Sequence, residues 1–359
     1  MIRELIAQPQ EIAWLPWAVQ YFFFIGVAAC CALVAIACRW VYRGQRLKTE
    51  LIALAIGAST GIVGPIALSA DVHQPGRIWH FYAHVTPWSW MSIGAFFVPL
   101  FVTFLLVYFV LLLRHMSMGK ALPKWLRWLQ WGRFQASRYL GVVSLALLIS
   151  TVLVLLYTGK EVNVLKAQPL WHSPWLPWVL FLTALQTVPM LINTWFAWAK
   201  QDVDTRWLSW LQVGALLALM GCILAWLLGD NPAGAAFRSL PEQGSVWWTI
   251  GLSLFAYWVL LLGYGVGQLS GRVSSRPWLS SVMALAALSL CWTVRWGILM
   301  QSQTLPKYNV FINPYDLPWG FDGLLGIMST FGLWLTLLII IWALVQDWLP
   351  VLNRSAQHG

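Results

Sequence analysis

The sequence predicts an all-α polytopic membrane protein with about nine transmembrane helices. Apolar runs of about 20 residues, the length that crosses a lipid bilayer, recur along the whole chain. Hydrophobic residues make up 60% of the 359 residues, whereas charged residues make up only 9%. Because lipid offers the backbone no hydrogen-bond partner, each run is expected to form a helix. A transmembrane β-barrel would instead show short strands of alternating hydrophobicity.

Polar residues concentrate in the loops that separate these apolar runs. Many of the 27 tryptophans lie near the ends of the runs, where aromatic rings favour the membrane interface. The five cysteines form no CxxC pair and lie in or at the end of apolar runs, so we interpret them as small packing residues. The predicted membrane helices cover residues 15–38, 51–70, 88–113, 137–157, 175–199, 207–228, 246–268, 278–300 and 321–346.

Lysine and arginine fall mainly in one alternating set of loops, and this asymmetry predicts the orientation. The basic set includes residues 39–48, 114–138, 200–206 and 272–276. Cytoplasmic loops carry the excess of basic residues, so the N-terminus is expected outside and the C-terminus inside. The formal net charge of +10 is thus interpreted as a topology signal, and no nucleic-acid partner is expected. The N-terminus lacks a basic region ahead of its first apolar run, so no cleaved signal peptide is expected.

The connection at 114–136 carries three tryptophans, Trp125, Trp128 and Trp131, between basic residues. This pattern predicts either an amphipathic helix lying in the membrane interface or a plain charged loop.

The run Asp71-Val72-His73-Gln74-Pro75-Gly76-Arg77-Ile78-Trp79-His80-Phe81-Tyr82 joins the second and third predicted helices. Ionisable groups at the end of a membrane helix are costly to keep, so they are functional candidates. The alternative is a solvated loop with ordinary turn residues. Other polar residues fall on the same predicted outer side, near the start of the first helix and the end of the fourth: Gln20, Tyr21, Tyr157, Thr158, Lys160 and Glu161.

Several classes of site fit this sequence poorly. The six histidines lie in loops, at helix ends or in the tail, so no haem is expected inside the bundle. His80 and His84 would share one face of a helix, but no further ligand completes a metal set, and no metal is expected. Phosphate-binding glycine loops and the HExxH motif are absent from the sequence.

A ligand with an apolar tail and a protonatable head would suit the outer polar cluster, and a quinol has this form. Its oxidation needs acceptors for two protons, and histidine titrates near neutral pH. We therefore predict His80, Asp71 and His73 as catalytic groups. Predicted quinol-binding residues are Gln20, Tyr21, Arg77, His80, Tyr157 and Thr158.

Arg295 and Glu161 are assigned to a proton path or to a structural role. Arg295 lies inside the eighth predicted helix and needs carbonyl or acidic partners, of which Asp316 and Asp322 are candidates. A secondary transporter is the alternative from another class. The repeat of Trp14-Leu15-Pro16-Trp17 as Trp175-Leu176-Pro177-Trp178 suggests it, although transporters favour polar groups and broken helices at the midplane.

Four stretches resemble the NrfD/polysulfide-reductase family of membrane subunits: WLPWAVQYFFFIG at 14–26, ADVHQPGRIWHFY at 70–82, LYTG at 156–159 and RWGILMQSQ at 295–303. The resemblance covers essentially the whole chain, and the first two stretches indicate the tetrathionate-reductase subgroup. It implies two four-helix bundles plus one extra helix. We place the first bundle, with the quinol site, at 1–160 and the second at 161–302. The outer loop, ninth helix and cytoplasmic tail then occupy 303–359.

The resemblance also implies a function in the bacterial inner membrane. The chain would oxidise menaquinol or ubiquinol and pass electrons to a periplasmic iron–sulfur subunit of the four-cluster type, with a molybdopterin catalytic subunit beyond it. Tyr157 matches a tyrosine that contacts the quinone in the family. Some relatives have His and Asn where this chain has Tyr21 and Ala18. The implied terminal acceptor is tetrathionate, with polysulfide, thiosulfate or nitrite as alternatives, and this chain does not act on the acceptor itself.

Overall fold

The computed structural model describes residues 12–72, 74–119, 122–132, 134–305 and 315–346. In this part of the chain nine helices are long and apolar enough to cross a membrane, which confirms the predicted fold class. Two short helices, α3 and α8, lie in connections. In chain order the helices are α1 (Pro16–Trp40), α2 (Leu47–Asp71), α3 (His80–Ala83), α4 (Trp90–Ser117), α5 (Ser137–Asn163), α6 (Leu176–Trp198), α7 (Arg206–Leu227), α8 (Pro232–Ser239), α9 (Ser245–Leu269), α10 (Pro277–Leu299) and α11 (Leu324–Gln346).

The long helices form two groups of four and one extra helix. In the first group, α1 contacts α2 and α5, and α4 completes the ring between α2 and α5. In the second group, α6 contacts α7 and α10, and α9 completes the ring between α7 and α10. Helix α1 also packs on α6 and α10, and α11 packs on α2 and α1. The residue ranges predicted for the two bundles and the tail region stay a prediction, since 1–11, 306–314 and 347–359 lie outside the described residues.

Helix α5 is longer than the sequence predicts, and this difference matters for the site. The predicted fourth span ends at Tyr157. The structure continues the helix to Asn163. Tyr157 and Glu161 are therefore four residues apart on one helix and share a face.

Small residues let α1 and α2 approach closely. A Cβ added at Gly57 would lie 3.1 Å from the Cβ of Cys31, and one added at Gly61 would lie 3.6 Å from the Cβ of Ala28. Glycines spaced by four residues form such contacts in membranes, where van der Waals packing drives helix association. Cys31 is a free, buried thiol, as its interpretation as a packing residue predicts.

A buried arginine joins the two four-helix groups. Arg295 on α10 is 1% exposed. Its Nε donates to the Phe22 carbonyl of α1 at 3.0 Å, and its Nη2 donates to the Leu180 carbonyl of α6 at 2.9 Å. Its Nη1 donates to the Thr183 hydroxyl at 3.1 Å and to the Cys291 carbonyl at 2.9 Å.

These contacts fit the structural role predicted for Arg295. In the described part of the chain Asp316 and Asp322, its predicted partners, accept no hydrogen bond from it, because carbonyls and a hydroxyl already surround the guanidinium. Gly26 on α1 makes room for it, since a Cβ there would lie 2.8 Å from Nη2. A role in a proton path stays a prediction.

Replacing Arg295 by methionine is expected to destabilise the fold by about 3 kcal/mol or more, because each hydrogen bond from a charged donor contributes about 1.5–3 kcal/mol. The midpoint of thermal unfolding in detergent measures this loss. Arg272→Met is the matched control, since Arg272 is exposed in the α9–α10 connection and should change stability by less than about 0.5 kcal/mol. Equal midpoints for the two variants would contradict the role of Arg295 in joining the two four-helix groups.

Candidate functional site

A cavity of about 360 Å³ lies at one end of the first four-helix group. At this end α1 and α4 begin and α2 and α5 end, and the connection that contains α3 runs across it. The volume falls within the usual range for small-molecule pockets, about 300–1,000 Å³. Its walls are mainly apolar, and they include Trp14, Phe22, Pro65, Ile78, Phe81 and Val98.

Two phenols and two carboxyls meet in this cavity. Tyr21 comes from α1, Asp71 ends α2, and Tyr157 and Glu161 come from one face of α5. The Tyr157 hydroxyl is close enough to interact with both Tyr21 and Glu161, and the carboxyls of Asp71 and Glu161 interact electrostatically. Titratable groups gathered in an apolar cleft are typical of a functional site.

Gly94 on α4 provides the space for the Tyr157 ring. A Cβ added at Gly94 would lie 2.1 Å from Cζ of that ring, closer than any two non-bonded carbon atoms can pack. The ring is therefore seated directly on the α4 backbone, and its hydroxyl position depends on the glycine. Sequence analysis missed this residue, because a glycine within an apolar run carries no signal of what packs against it.

The start of α1 is fixed by a side chain from the second four-helix group. The backbone N–H groups of Ala13 and Trp14 donate to Oε1 of Gln303, each at 3.1 Å, and Nε2 of Gln303 donates to the Trp14 carbonyl at 3.2 Å. Ala13 and Trp14 line the cavity, and the Trp14 ring stacks on Phe22 with centroids 5.9 Å apart. Gln303 therefore holds one cavity wall in place.

His80 and Arg77 lie outside this cavity. They line a second, more open depression of about 390 Å³ together with His84. Val72, Phe81 and Met91 line both spaces. The His80 ring is exposed and lies 4.0 Å, centroid to centroid, from the ring of Trp79.

Gln20 and Thr158 also lie outside the cavity lining. Gln20 is fully buried beside Tyr21, and the Thr158 hydroxyl donates to the Val154 and Leu155 carbonyls of its own helix. His73 lies outside the described residues. The structure thus brings together Tyr21, Asp71, Tyr157 and Glu161, and the roles of all the predicted site residues stay predictions.

Among the residues that the structure describes, no group of three or more His, Cys, Asp or Glu side chains is arranged to hold a metal ion. His80 and His84 stand 5.7 Å apart, centroid to centroid, and no third ligand of these types joins them among the described residues.

Known proteins resemble this chain over most of its length. A family model described as "Polysulphide reductase, NrfD" matches residues 4–307. A tetrathionate reductase subunit of Salmonella typhimurium is 41% identical over 368 residues, which cover 100% of this chain and 98% of that protein. A selenate reductase subunit of Mesobacillus selenatarsenatis is 22% identical, over 97% of this chain and 89% of its own. Protein NrfD of Escherichia coli is 25% identical, over 81% of this chain and 93% of its own.

Replacing Gly94 by alanine is expected to displace the Tyr157 ring and to cost about 1–3 kcal/mol of stability, the usual effect of overpacking. Thermal unfolding in detergent measures the loss. The matched control is Gly141→Ala on α5, where an added Cβ meets nothing within 4 Å. That change should be neutral or stabilise by at most about 1 kcal/mol. If both variants unfold at the same temperature, Tyr157 is not seated on Gly94.

Proposed function

This chain belongs to the polysulphide reductase NrfD family, and on that premise we propose that it oxidises quinol and passes the electrons to an iron–sulfur partner. It is a multi-pass inner-membrane subunit of an oxidoreductase complex. The observation that carries the proposal is the apolar cavity in which Tyr21, Asp71, Tyr157 and Glu161 meet.

The chemistry of the cavity suits a quinol head group. Its apolar walls accept the ring and the start of the isoprenoid tail, and the phenols of Tyr21 and Tyr157 can donate hydrogen bonds to the quinol oxygens. Oxidation of a quinol to a quinone releases two protons and two electrons. The carboxylates of Asp71 and Glu161 accept hydrogen bonds from the quinol hydroxyls and then the protons, because a general base must lie within hydrogen-bond reach of the proton it takes.

The position of the cavity also supports the proposal. It lies at a helix end of the first four-helix group, beside the α2–α4 connection. The basic-loop asymmetry predicts that this end faces the outside. Protons released there would leave on that side, and electrons would pass to a periplasmic iron–sulfur subunit docked over the same end. Either menaquinol or ubiquinol fits the chemistry of the cavity.

The proposed complex reduces tetrathionate. The relative that is 41% identical over the full chain is named as a subunit of a tetrathionate reductase. A molybdopterin subunit would bind the acceptor beyond the iron–sulfur subunit, so this chain never contacts it. Polysulfide, thiosulfate, nitrite and selenate are the alternative acceptors, and the name of a second relative suggests selenate.

Glu161→Gln is expected to lower quinol-dependent reduction by the assembled complex about 100-fold or more, because glutamine keeps the size of the side chain but cannot accept a proton. Reduction driven by a dye that feeds the soluble subunits directly should not change. Glu242→Gln is the matched control, since Glu242 is exposed in the α8–α9 connection. Loss of both activities in an assembled complex would contradict the quinol role.

His80→Gln, measured in the same assay, compares the sequence prediction with the geometry. Because the His80 ring lies outside the cavity, we expect quinol-dependent reduction to fall less than about tenfold. Removal of a direct proton acceptor would lower it about 100-fold. A loss of activity in His80→Gln as large as that in Glu161→Gln would instead support His80 as a catalytic group.

The tagged chain, purified in mild detergent from its native host, is expected to carry an iron–sulfur protein and a molybdopterin protein with it. Iron analysis and the fluorescence of oxidised molybdopterin identify them. A tagged multi-pass protein of unrelated function from the same host is the control. Recovery of the chain without any redox partner would instead favour the transporter alternative.

A further inference from the structure

The α4–α5 connection contains a surface that the proposed function does not use. Helix α4 ends at Ser117 and α5 begins at Ser137, so the connection lies where two membrane-spanning helices end. Between them Lys124–Gln130 forms a 3₁₀ helix, where the sequence predicts either an amphipathic interfacial helix or a plain loop. A 3₁₀ helix has three residues per turn, so side chains three apart stand in one line.

This periodicity sorts the segment into three lines of different chemistry. Trp125 and Trp128 form one line, and Trp131 follows directly after the helix; the three rings are 55%, 55% and 85% exposed. Lys124 and Arg127 form an exposed basic line beside it. The third line is buried and packs against the protein: Leu126 and Leu129. In an α-helix, residues three apart would be rotated by about 60° from each other, and the tryptophan line would be lost.

A buried arginine holds this segment in its conformation. Nη1 of Arg114 on α4 donates to the Leu129 and Trp131 carbonyls, each at 2.7 Å. Its Nη2 donates to the Gly132 carbonyl at 2.9 Å and to the Phe134 carbonyl at 3.1 Å. The guanidinium carbon also stands 3.9 Å from the centroid of the Phe134 ring. The exposed lines are therefore presented on a supported scaffold.

In the part of the chain that the structure describes, no acidic side chain forms an ion pair with the basic line. The sequence has no Asp or Glu between Asp71 and Glu161. In the described part of the chain the ion pairs are Arg39–Glu50 and Arg46–Asp204, and neither involves this segment. Within the described residues, Lys124 and Arg127 thus have no ion-pair partner. Indole rings favour the head-group region of a bilayer, and anionic lipids attract basic residues that lie near the membrane surface.

We propose that Lys124, Trp125, Arg127, Trp128 and Trp131, named here the Trp–Arg ridge, bind anionic phospholipid in the leaflet where α4 ends. The three indoles lie among the head groups. Arg127 takes phosphate oxygens through its planar fork, and Lys124 adds a point charge. The bound lipid fixes the depth of α4 and α5 in the bilayer. This inference does not rest on quinol oxidation.

Native mass spectrometry of the full chain, titrated with phosphatidylglycerol or phosphatidylcholine, tests the ridge. The wild-type chain should prefer phosphatidylglycerol. The double variant Lys124→Gln, Arg127→Gln should bind phosphatidylglycerol about 25-fold more weakly, about five-fold for each basic residue removed. Its affinity for phosphatidylcholine should not change. High salt should abolish the difference between variant and wild type, because charges at an exposed surface are screened.

The matched control is the double variant Arg272→Gln, Arg276→Gln, which removes two exposed arginines from the α9–α10 connection. It should keep the wild-type affinity for phosphatidylglycerol. An equal loss in both double variants would overturn the proposal, because it would indicate a response to net charge alone. An unchanged affinity in the ridge variant would overturn it too. Protection of Lys124 from amine-reactive labelling in the delipidated complex would also overturn the proposal, since another protein of the complex would then cover the ridge.

Discussion

The buried guanidinium of Arg295 is the contact on which the arrangement of the two four-helix groups depends. Between membrane helices the hydrophobic effect is weak, because lipid tails are as apolar as the side chains. Polar bonds and close packing must therefore hold helices together. Arg295 supplies such bonds from α10 to the Phe22 carbonyl of α1 and the Leu180 carbonyl of α6. Phe22 lines the cavity, so the hydrogen bonds of Arg295 also shape the site.

The cavity belongs to the first group, but the second group positions part of it. Gln303, which follows α10, holds the backbone of Trp14 at the start of α1. Inside the first group, the absence of a side chain at Gly94 decides where the Tyr157 ring lies. Packing against the neighbouring backbone and apolar side chains thus helps to place the two carboxyls and the two phenols. This explains how a strongly apolar chain keeps four titratable groups in one small space.

The opposite end of the first group is also fixed by arginines. Arg39 donates to the Glu50 carboxylate at 2.6 Å, and the Tyr108 hydroxyl donates to the same oxygen at 2.6 Å. These contacts join α1, α2 and α4. Arg114 extends this support to the Trp–Arg ridge by binding backbone carbonyls. A charge inside a membrane protein is costly unless it is paired, and each of these arginines has several acceptors.

The sequence by itself determined the fold class, the long helices and the family, because bilayer thickness imposes a length on every span and lipid forbids an unpaired backbone. It also located the polar cluster near Asp71 and Tyr157. Only the tertiary structure decided which polar groups meet. The extension of α5 to Asn163 turned Glu161 toward the cavity beside Tyr157, whereas His80 lines the second, more open depression. Those outcomes depend on where each helix ends and how it is rotated about its axis. Contacts between distant segments set the helix ends and the helix rotations, and local composition does not encode those contacts.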